Sequence, residues 1–416
     1  MIRGEPMKLM QVSDPVAVLK LIKSEFKALP AERVAIELAG GFYLAETLKS
    51  PEDVPGFDRS TVDGYAVAAR ESFGAGESMP AMFELAGEVL MGKSAPAINS
   101  GQCCLIHTGG MLPGNTDAVI MVEDTEVSGN LVNSFKQVAP GENVIHRGED
   151  LNAGATALEA GQLLRAPEIG MLASIGISEV AVHRQPQIGF FSSGDELVSY
   201  SSKQLKAGQI RDSNAPAISY LAQQFSAGFR YGGILPDNFE VFMEKSRAML
   251  GEVDFLVFSG GSSVGSRDFT ARTMQELGKP GLLVEGIAIQ PGKPTLLAKC
   301  NDKPVLGLPG HPVSALNIFS IFGRAIVDQL AGRVQERLTP SLSANLARNV
   351  ASRTGRTDYV RVKLERDKIS GELSAVPVFG RSGMLRTLAE ADGLLVVPPE
   401  KEGLSAGEKV EVFLWE

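Results

Sequence analysis

The stretch FLVFSGGSSVGSRDFTARTMQEL (255–277) predicts a β-strand, a glycine-rich loop and an α-helix in immediate succession. Residues 255–259 form a short apolar run of strand length, and residues 269–277 have helical spacing. The glycines and serines between them allow backbone N–H groups to approach an anion closely, and the helix adds its positive N-terminal end. An ordinary turn with Asp268 as helix N-cap has the same pattern. The stretch alone therefore leaves an anion site and a plain turn as alternatives.

The alternation of strand and helix continues on both sides of this stretch, from residue 187 to residue 330. Strands are predicted at 188–191, 229–235 and 282–289, with a hairpin at 295–299 and 303–308. Helices are predicted at 215–227, 239–250 and 313–330. Alternation at this spacing predicts a doubly wound, mostly parallel α/β sheet, whose ligands bind beyond the carboxyl ends of the strands.

The flanking regions have different patterns, so the chain is predicted to be multidomain, α/β plus β. Residues 51–147 alternate short apolar runs with Gly, Pro and Asn turns, as in a β-rich module. Residues 333–416 predict a small C-terminal β domain, with strands at 359–364, 373–378, 394–397 and 409–415. Helices are predicted after the N-cap Asp14, at 31–47 and at 166–175, with a strand at 180–183.

The composition argues against several classes of protein. The 416 residues carry 40 Lys and Arg against 49 Asp and Glu, a net charge of −9, whereas a general nucleic-acid binder has a basic excess. The three cysteines, Cys103, Cys104 and Cys300, are too few for a disulfide framework or a Cys₄ zinc site, which indicates a reducing compartment. No uninterrupted apolar run reaches the ~18 residues that span a bilayer, and the first residues lack a signal-peptide core. We therefore expect a cytoplasmic protein with no nucleic-acid or membrane partner.

Further polar loops follow the predicted strands. SSGDEL (192–197) carries two adjacent carboxylates, whose hard oxygens suit Mg²⁺ although solvated charge is their commoner role. LPGHPVSA (308–315) opens a helix, so it either holds a phosphate or serves as a Pro-Gly turn with His311 as a cap. PGKP (291–294) frames a lysine. Because these loops lie at strand ends, their agreement favours a ligand site at one edge of the sheet.

The ordered set of motifs resembles the MoeA family, the molybdopterin molybdenumtransferases, which includes the E domain of gephyrin. The resemblance covers nearly the whole chain. The matching segments are FDRSTVDGYAV (57–67), HTGGMLPGNTDAVIMVED (107–124), RGED (147–150), SSGDEL (192–197), IRDSN (210–214), SGGSSVGSRDFT (259–270), PGKP (291–294), LPGHPVSA (308–315), GRTDYVRV (355–362) and RSGMLRTLAEADGLLVVP (381–398).

This resemblance implies a fold and a function. The expected parts are a helical linker region (1–50 and 148–184), a β-rich module (51–147), an α/β molybdopterin-binding domain (185–332) and a small C-terminal β domain (333–416). Such proteins take adenylylated molybdopterin and molybdate, cleave the pyrophosphate bond with Mg²⁺, release AMP and leave molybdenum on the dithiolene, the last step of molybdenum cofactor biosynthesis. They are homodimers in which the β-rich module of one subunit faces the α/β cleft of the other. The molybdopterin adenylyltransferase is a candidate partner.

The resemblance also implies site residues. The catalytic set is Asp63, Thr108 and Asp150 of one subunit opposite Glu196, Asp237 and Asp268 of the other, with Asp63, Asp150 and Glu196 as candidate Mg²⁺ ligands. Substrate contacts are expected from Ser193, Gly194, Asp212, Ser213, Asn214, Gly260, Gly261, Ser262, Ser263, Gly265, Lys293, Pro309, Gly310, His311, Pro312, Ser314, Arg356, Arg361 and Ser382. Because the substrate brings its own two sulfurs, no thiolate cage is needed for the molybdenum.

Three residues depart from the commoner motifs of the family, and two other functions stay open. His311 stands in place of Asn, Gln290 in place of Arg or Lys, and Ser193 in place of Thr. A molybdopterin adenylyltransferase, like the MogA family, shares the α/β domain but needs ATP and does not need residues 1–184. A non-catalytic molybdopterin-binding scaffold is the third candidate, since the gephyrin E domain also binds receptor tails. Molybdate and tungstate are nearly equal in size and charge, so either oxyanion fits these motifs.

Overall fold

The computed structural model of the chain describes residues 12–260 and 264–415. Its central domain is built on a six-stranded sheet. In spatial order the strands are Gly228–Leu235, Gln187–Ser193, Phe255–Gly260, Lys303–Leu308, Leu296–Cys300 and Pro280–Glu285. The first four are parallel and the last two join antiparallel, which confirms the predicted mostly parallel sheet.

Helices cover both faces of this sheet. They are Asn214–Gln224, Phe239–Glu252, Val264–Glu276 and Pro312–Ile318, the last continuing through a π-helical turn, Phe319–Gly323, into Arg324–Leu330. Side chains alternate along the central strands: Phe190 and Val257 lie in one apolar layer, whereas Phe191 and Phe258 lie in the other. Because the strands are apolar on both faces, both faces must be covered, and this produces the doubly wound arrangement.

The long helix over residues 312–330 has the length and composition of a membrane span, with 19 residues and a mean hydropathy of 1.2. However, 67% of its most apolar window is buried inside the protein. Phe319, Phe322 and Ile326 pack in the same apolar layer as Phe190. The helix is therefore a core element of the central domain.

The first helix, Pro15–Glu25, packs on the central domain, although the sequence analysis places it in the linker region. Asp14 caps its N-terminus by accepting a backbone N–H bond of 3.0 Å. Ile22 and the following Phe26 are buried in the apolar layer that contains Phe190. This helix thus contributes to the core of the central domain.

The prediction of a helix at residues 31–47 is wrong. The segment contains the strands Ala31–Ala35 and Tyr43–Leu44, with a 3₁₀ turn, Ile36–Leu38, between them. Both strands flank Glu179–His183 in an antiparallel three-stranded sheet. Alanine, glutamate and arginine favour a helix locally, but pairing with a strand far along the chain overrides that preference. The rest of the linker region contains Leu48–Lys49 paired with Thr156–Leu158, and the helix Ala166–Ser174 that the sequence predicts.

Residues 51–147 contain a second six-stranded sheet, in agreement with the predicted β-rich module. In spatial order its strands are Ala118–Met121, Gly64–Val67, Gln102–Ile106, Ala81–Glu88, Leu131–Ser134 and Thr125–Ser128. Shorter elements are the pair Arg59–Ser60 with Val144–Ile145 and the 3₁₀ turns Ala69–Ser72 and Val122–Asp124. Gly64 has no room for a side chain, because a Cβ there would collide with the carbonyl of Ile120. The residue after Asp63 must therefore be glycine.

The C-terminal domain is a β-barrel, in agreement with the predicted small β domain. Its main strands are Ser341–Leu346, Thr357–Arg366, Leu373–Pro377, Gly393–Val397 and Lys409–Leu414. The sheet closes on itself because the strand 357–366 pairs with both 373–377 and 393–397. The remaining elements are the pair Val350–Ala351 with Gly403–Leu404 and the helix Arg386–Ala389.

A short strand connects the central domain to this barrel. Ile289–Gln290 pairs in parallel with the start of Thr357–Arg366. The single strand predicted at 282–289 is therefore two strands, since Pro280–Glu285 belongs to the central sheet and Ile289–Gln290 to the barrel.

We expect Ile22→Ala to lower the free energy of unfolding by about 2–5 kcal/mol, because the Ile22 side chain is fully buried in the core of the central domain. Urea unfolding followed by circular dichroism measures this change. Val16→Ala is the matched control on the same helix, since Val16 is 57% exposed and its truncation should cost less than about 0.5 kcal/mol. Equal losses in the two variants would contradict the packing of this helix on the central domain.

Candidate active site

Loops at the carboxyl ends of the central strands enclose a cleft of about 390 Å³. Gln187–Ser193, Phe255–Gly260 and Lys303–Leu308 lie side by side, and each contributes its end or the loop that follows it. The residues that line the cleft are Ser192, Ser193, Glu196, Leu197, Ile210, Arg211, Asp212, Ser213, Asn214, Ser259, Gly260, Gly310, His311, Pro312 and Gly383. Loops that the sequence analysis assigns to one edge of the sheet are thus brought together, at the usual ligand position of a doubly wound sheet.

Asp212 organises the floor of the cleft. Its carboxylate is buried and accepts four hydrogen bonds. Oδ1 accepts the backbone N–H groups of Asn214 at 3.1 Å and Ala215 at 3.2 Å, which belong to the first turn of a helix. Oδ2 accepts the hydroxyl groups of Ser192 at 2.5 Å and Tyr231 at 2.9 Å. Because its oxygens are fully engaged, Asp212 fixes the helix and the strand relative to each other.

Two polar atoms in the cleft wall are buried without a hydrogen-bond partner. Asn214 donates from Nδ2 to the hydroxyl of Ser259 at 2.7 Å and to the carbonyl of Gly310 at 3.0 Å, and so joins two loops. Its Oδ1 and the hydroxyl of Ser193 make no such bond. Because buried polar groups are nearly always paired, these two atoms are suited to accept or donate a bond to a ligand in the cleft.

Two glycines let the backbone approach the cleft closely. Gly194 and Gly260 have φ values of +140° and +145°, in the region that disfavours side chains. A Cβ at Gly260 would collide with the carbonyl and hydroxyl oxygens of Ser193. A Cβ at Gly194 would lie 2.5 Å from Oε2 of Glu196. Any larger residue at either position must displace a cleft residue.

Three carboxylates gather beside the cleft. Glu196 lines it, and Asp195 accepts the backbone N–H of Asp237 at 3.3 Å. Partial burial, together with the negative charges of Asp195 and Glu196, raises the pKa of Asp237. Mutual repulsion of this kind favours a nearby cation.

A divalent cation fits this donor set only with ligands from elsewhere. In the part of the chain that the structure describes, no three His, Cys, Asp or Glu side chains are arranged to hold a metal ion. Mg²⁺ commonly binds one or two carboxylates and takes its other ligands from water and substrate phosphates. Glu196, Asp195 and Asp237 are carboxylates of the type that such a site uses.

A segment of the C-terminal domain completes one wall of the cleft. His311 Nδ1 lies 2.8 Å from the hydroxyl of Ser382, and Ser382 O accepts the N–H of Val313 at 3.1 Å. Arg361 holds the same segment by donating to the carbonyl of Gly380 at 2.8 Å and to Thr387 Oγ1 at 2.9 Å. Burial lowers the pKa of Arg361. His311 therefore joins two domains at the entrance of a core helix.

Several predicted substrate contacts do not line the cleft. Arg356 forms an ion pair with Asp358 inside the C-terminal domain, with an Nη2–Oδ2 distance of 3.0 Å and an Nε–Oδ1 distance of 2.8 Å. Lys293 is exposed on the loop after Ile289–Gln290, and Ser314 is buried in the first turn of the core helix. The other predicted substrate contacts outside the lining are Gly194, Pro309, Arg361 and Ser382, which adjoin it in sequence or through the contacts above. The predicted catalytic residue Asp237 also lies outside the lining, beside Asp195. Gly261, Ser262 and Ser263 lie outside the described residues, and so do the side chain of Asp268 and the surroundings of Gly265.

The second predicted set of catalytic residues consists of Asp63 and Thr108 in the β-rich module and Asp150 just after it. Asp63 Oδ1 accepts the N–H of Thr108 at 2.8 Å and is 3.4 Å from its hydroxyl. The Thr108 N–H, with a smaller contribution from His107, lowers the pKa of Asp63. Asp150 is exposed, and its N–H donates to the carbonyl of Val54 at 3.0 Å. These contacts all stay within the module and its edge, and no described hydrogen bond or ion pair joins Asp63 or Asp150 to Glu196.

Comparison with known proteins covers almost the whole chain. Residues 14–176 match the MoeA N-terminal region (domain I and II), residues 189–329 a probable molybdopterin binding domain, and residues 343–415 the MoeA C-terminal region (domain IV). The molybdopterin molybdenumtransferase of Haemophilus influenzae is 33% identical over 384 residues, which are 92% of this chain and 93% of that protein. The chain belongs to the MoeA family.

Other MoeA relatives and solved structures agree. The molybdopterin molybdenumtransferase of Bacillus subtilis is 30% identical over 390 residues, 92% of this chain and 89% of that protein. A crystal structure of the molybdopterin biosynthesis MoeA protein from Pyrococcus horikoshii OT3 superposes with a TM-score of 0.83 at 28% identity, covering 97% of this chain and 100% of that one. The four-part fold described above is thus that of a MoeA protein.

Sequence reasoning missed several residues of this MoeA cleft. Ser192 and Ser259 are strand residues that bond Asp212 and Asn214, and Gly383 lines the cleft from the C-terminal domain. Their signal in the sequence is weak, because serine and glycine at strand ends and in loops are common. Tyr231 was also missed, since it lies on a different strand and reaches Asp212 only in the folded chain.

We expect Gly260→Ala to weaken molybdopterin binding to this MoeA protein by about tenfold or more, because the new Cβ collides with Ser193 and the backbone conformation disfavours a side chain. Isothermal titration calorimetry measures the affinity, and circular dichroism checks the fold. Gly251→Ala is the matched control: a Cβ there meets nothing within 4 Å, and the helix around it favours alanine. Unchanged affinity in Gly260→Ala would contradict the close approach described here.

Proposed function

We propose that this protein is a molybdopterin molybdenumtransferase, which inserts molybdenum from molybdate into adenylylated molybdopterin and releases AMP. One observation carries the proposal: the chain matches molybdopterin molybdenumtransferases over nearly its full length. The reaction is the last step of molybdenum cofactor biosynthesis.

Cleft residues would bind the organic part of the substrate. Ser193 and the Oδ1 atom of Asn214 are the buried polar atoms with bonding capacity left. Backbone N–H groups of the glycine-rich loops and the N-termini of the following helices favour the phosphate groups of an anionic substrate. Asp212 acts as a support, because its oxygens are engaged by the protein.

The molybdenum would be bound by the two sulfurs of the substrate, since the protein's own cysteines are unsuited to it. Burial raises the pKa of Cys103 to about 12 and that of Cys300 to about 11. Cys104 is also buried. Metal ligation requires a thiolate, so burial makes these thiols poor ligands for the molybdenum. Three free cysteines also support a cytoplasmic location.

Mg²⁺ is proposed as the cofactor. Bound beside the pyrophosphate, it would offset negative charge and polarise phosphorus. Glu196, with Asp63 and Asp150 of a second subunit, would supply carboxylates to it. Asp237 and Asp268 would hold water or substrate near the same position. The mutual repulsion of the carboxylates at the cleft rim supports a cation there.

A homodimer is proposed for the complete site. The contacts of Asp63 and Thr108 lie within the β-rich module, whereas Glu196 lies on the cleft of the central domain. The module of one subunit facing the cleft of the other would unite the two sets. A molybdopterin adenylyltransferase is the proposed partner that supplies the adenylylated substrate.

We expect the purified protein to release AMP from adenylylated molybdopterin when Mg²⁺ and molybdate are present, and to stop when EDTA removes the metal. Anion-exchange chromatography measures AMP, and added Mg²⁺ should restore the rate. Absence of AMP release from folded dimer would contradict the proposed function. ATP-dependent formation of adenylylated molybdopterin would instead identify an adenylyltransferase.

Mixed dimers test whether the site is shared between subunits. Asp63→Asn and Glu196→Gln homodimers should each be nearly inactive. After unfolding and refolding an equal mixture, half of the dimers should be mixed, and each mixed dimer should contain one intact site. We therefore expect about a quarter of the wild-type activity to return. No recovery in a mixture shown by mass spectrometry to contain mixed dimers would place the whole site within one chain.

A further inference from the structure

Three neighbouring strands of the β-rich module bring a histidine and two carboxylates to the same end of the sheet. Gly64–Val67, Gln102–Ile106 and Ala81–Glu88 lie side by side. Asp63 precedes the first strand, His107 follows the second, and Glu88 ends the third. The register supports this placement, since Gly64 pairs with Ile106 and Glu88 with Leu105.

The imidazole of His107 lies between the two carboxylates. Its Nε2 is 3.0 Å from Glu88 Oε1, and its Nδ1 is 3.5 Å from Asp63 Oδ1. The two ring nitrogens therefore face one carboxylate each, with a hydrogen-bond distance to Glu88 and a longer contact to Asp63. Glu88 therefore orients the ring whose other side faces Asp63.

The Asp63 carboxylate is held by contacts to its Oδ1 atom, which accepts the Thr108 N–H, contacts the Thr108 hydroxyl and faces His107. The side chain is nevertheless 62% exposed. The carboxylate is therefore accessible to a group that approaches the module. The backbone is equally restricted, because Gly64 packs against the carbonyl of Ile120. The carboxylate of Asp63 can therefore change its orientation mainly by rotation about the side-chain torsions, and the contact with His107 limits that rotation.

We propose that Glu88 and His107 are positioning residues, which hold the Asp63 carboxylate in the orientation that the reaction requires. The inference rests on the proposed function, in which Asp63 acts on the substrate of the opposite subunit. Exposed ion pairs alone are often of little consequence. Here the series of contacts from Glu88 through His107 ends on Asp63. The orientation of the Asp63 carboxylate matters for the reaction, so a small change in that orientation changes the rate.

Steady-state kinetics of AMP release test the proposal. We expect His107→Ala and Glu88→Gln to lower kcat by about fivefold, in the same kinetic parameter that Asp63→Asn lowers. In the Asp63→Asn background the His107→Ala change should have no further effect, because His107 acts through Asp63. Glu84→Gln is the matched control: it lies on the same strand as Glu88 and bonds Gln102 at 3.2 Å. An equal effect of His107→Ala in both backgrounds would overturn the proposal.

A second measurement needs no activity. In protein labelled with ¹³C at aspartate carboxyl carbons, Glu88→Gln should shift the Asp63 resonance although Glu88 does not contact Asp63. The shift should disappear when His107 is alanine, and Glu84→Gln should not produce it. Absence of the shift would overturn the proposal even if the Asp63→Asn protein has no measurable turnover. If wild-type protein releases no AMP but the shift is present, the proposed function fails while the positioning chain stands.

Discussion

The central parallel strands are apolar on both faces, and this constraint determines the position of the cleft. Phe190 and Phe191, adjacent in sequence, enter opposite layers, so helices must cover both sides of the sheet. Only the loops at the strand ends are left to face a ligand with polar groups. Asp212 then fixes the floor of the cleft. Its carboxylate bonds Ser192 on one strand, Tyr231 on the neighbouring strand and the N-terminus of the helix that begins at Asn214.

Much of this architecture follows from local pattern. The alternation from residue 187 to residue 330 predicts the central sheet and its helices because strand and helix periodicity are strong there. The segment 31–47 fails for a physical reason: Ala31–Ala35 is a strand only through pairing with Glu179–His183, and nothing in its own residues specifies that partner. Similarly, the sequence does not reveal that Arg356, an expected substrate contact, pairs with Asp358 in the fold.

In the candidate site, too, residues in local motifs are predicted, whereas residues brought in from other strands are not. Motif loops such as SSGDEL predict that Ser193 and Glu196 line a cleft, and they do. The bonds that fix those loops come from Tyr231 and Ser259, which carry no distinctive signal and are brought in by the sheet. The β-rich module shows the same pattern. Glu88 and His107 come into contact only when their strands lie side by side in the sheet, so their contact has no local signal in the sequence. Chemistry-bearing residues are thus easier to predict than the residues that orient them.

The strand Ile289–Gln290 has a consequence for the independence of the domains. The central domain gives this strand to the C-terminal barrel, and Tyr359, Leu388 and Trp415 return apolar contacts to the central core. The two domains therefore depend on each other: without its neighbour, the barrel would lose a strand pairing and the central domain would lose part of its apolar cover. A chimera that takes its barrel from a relative therefore also needs the relative's strand 289–290, because that strand pairs with the barrel at residues 357–358.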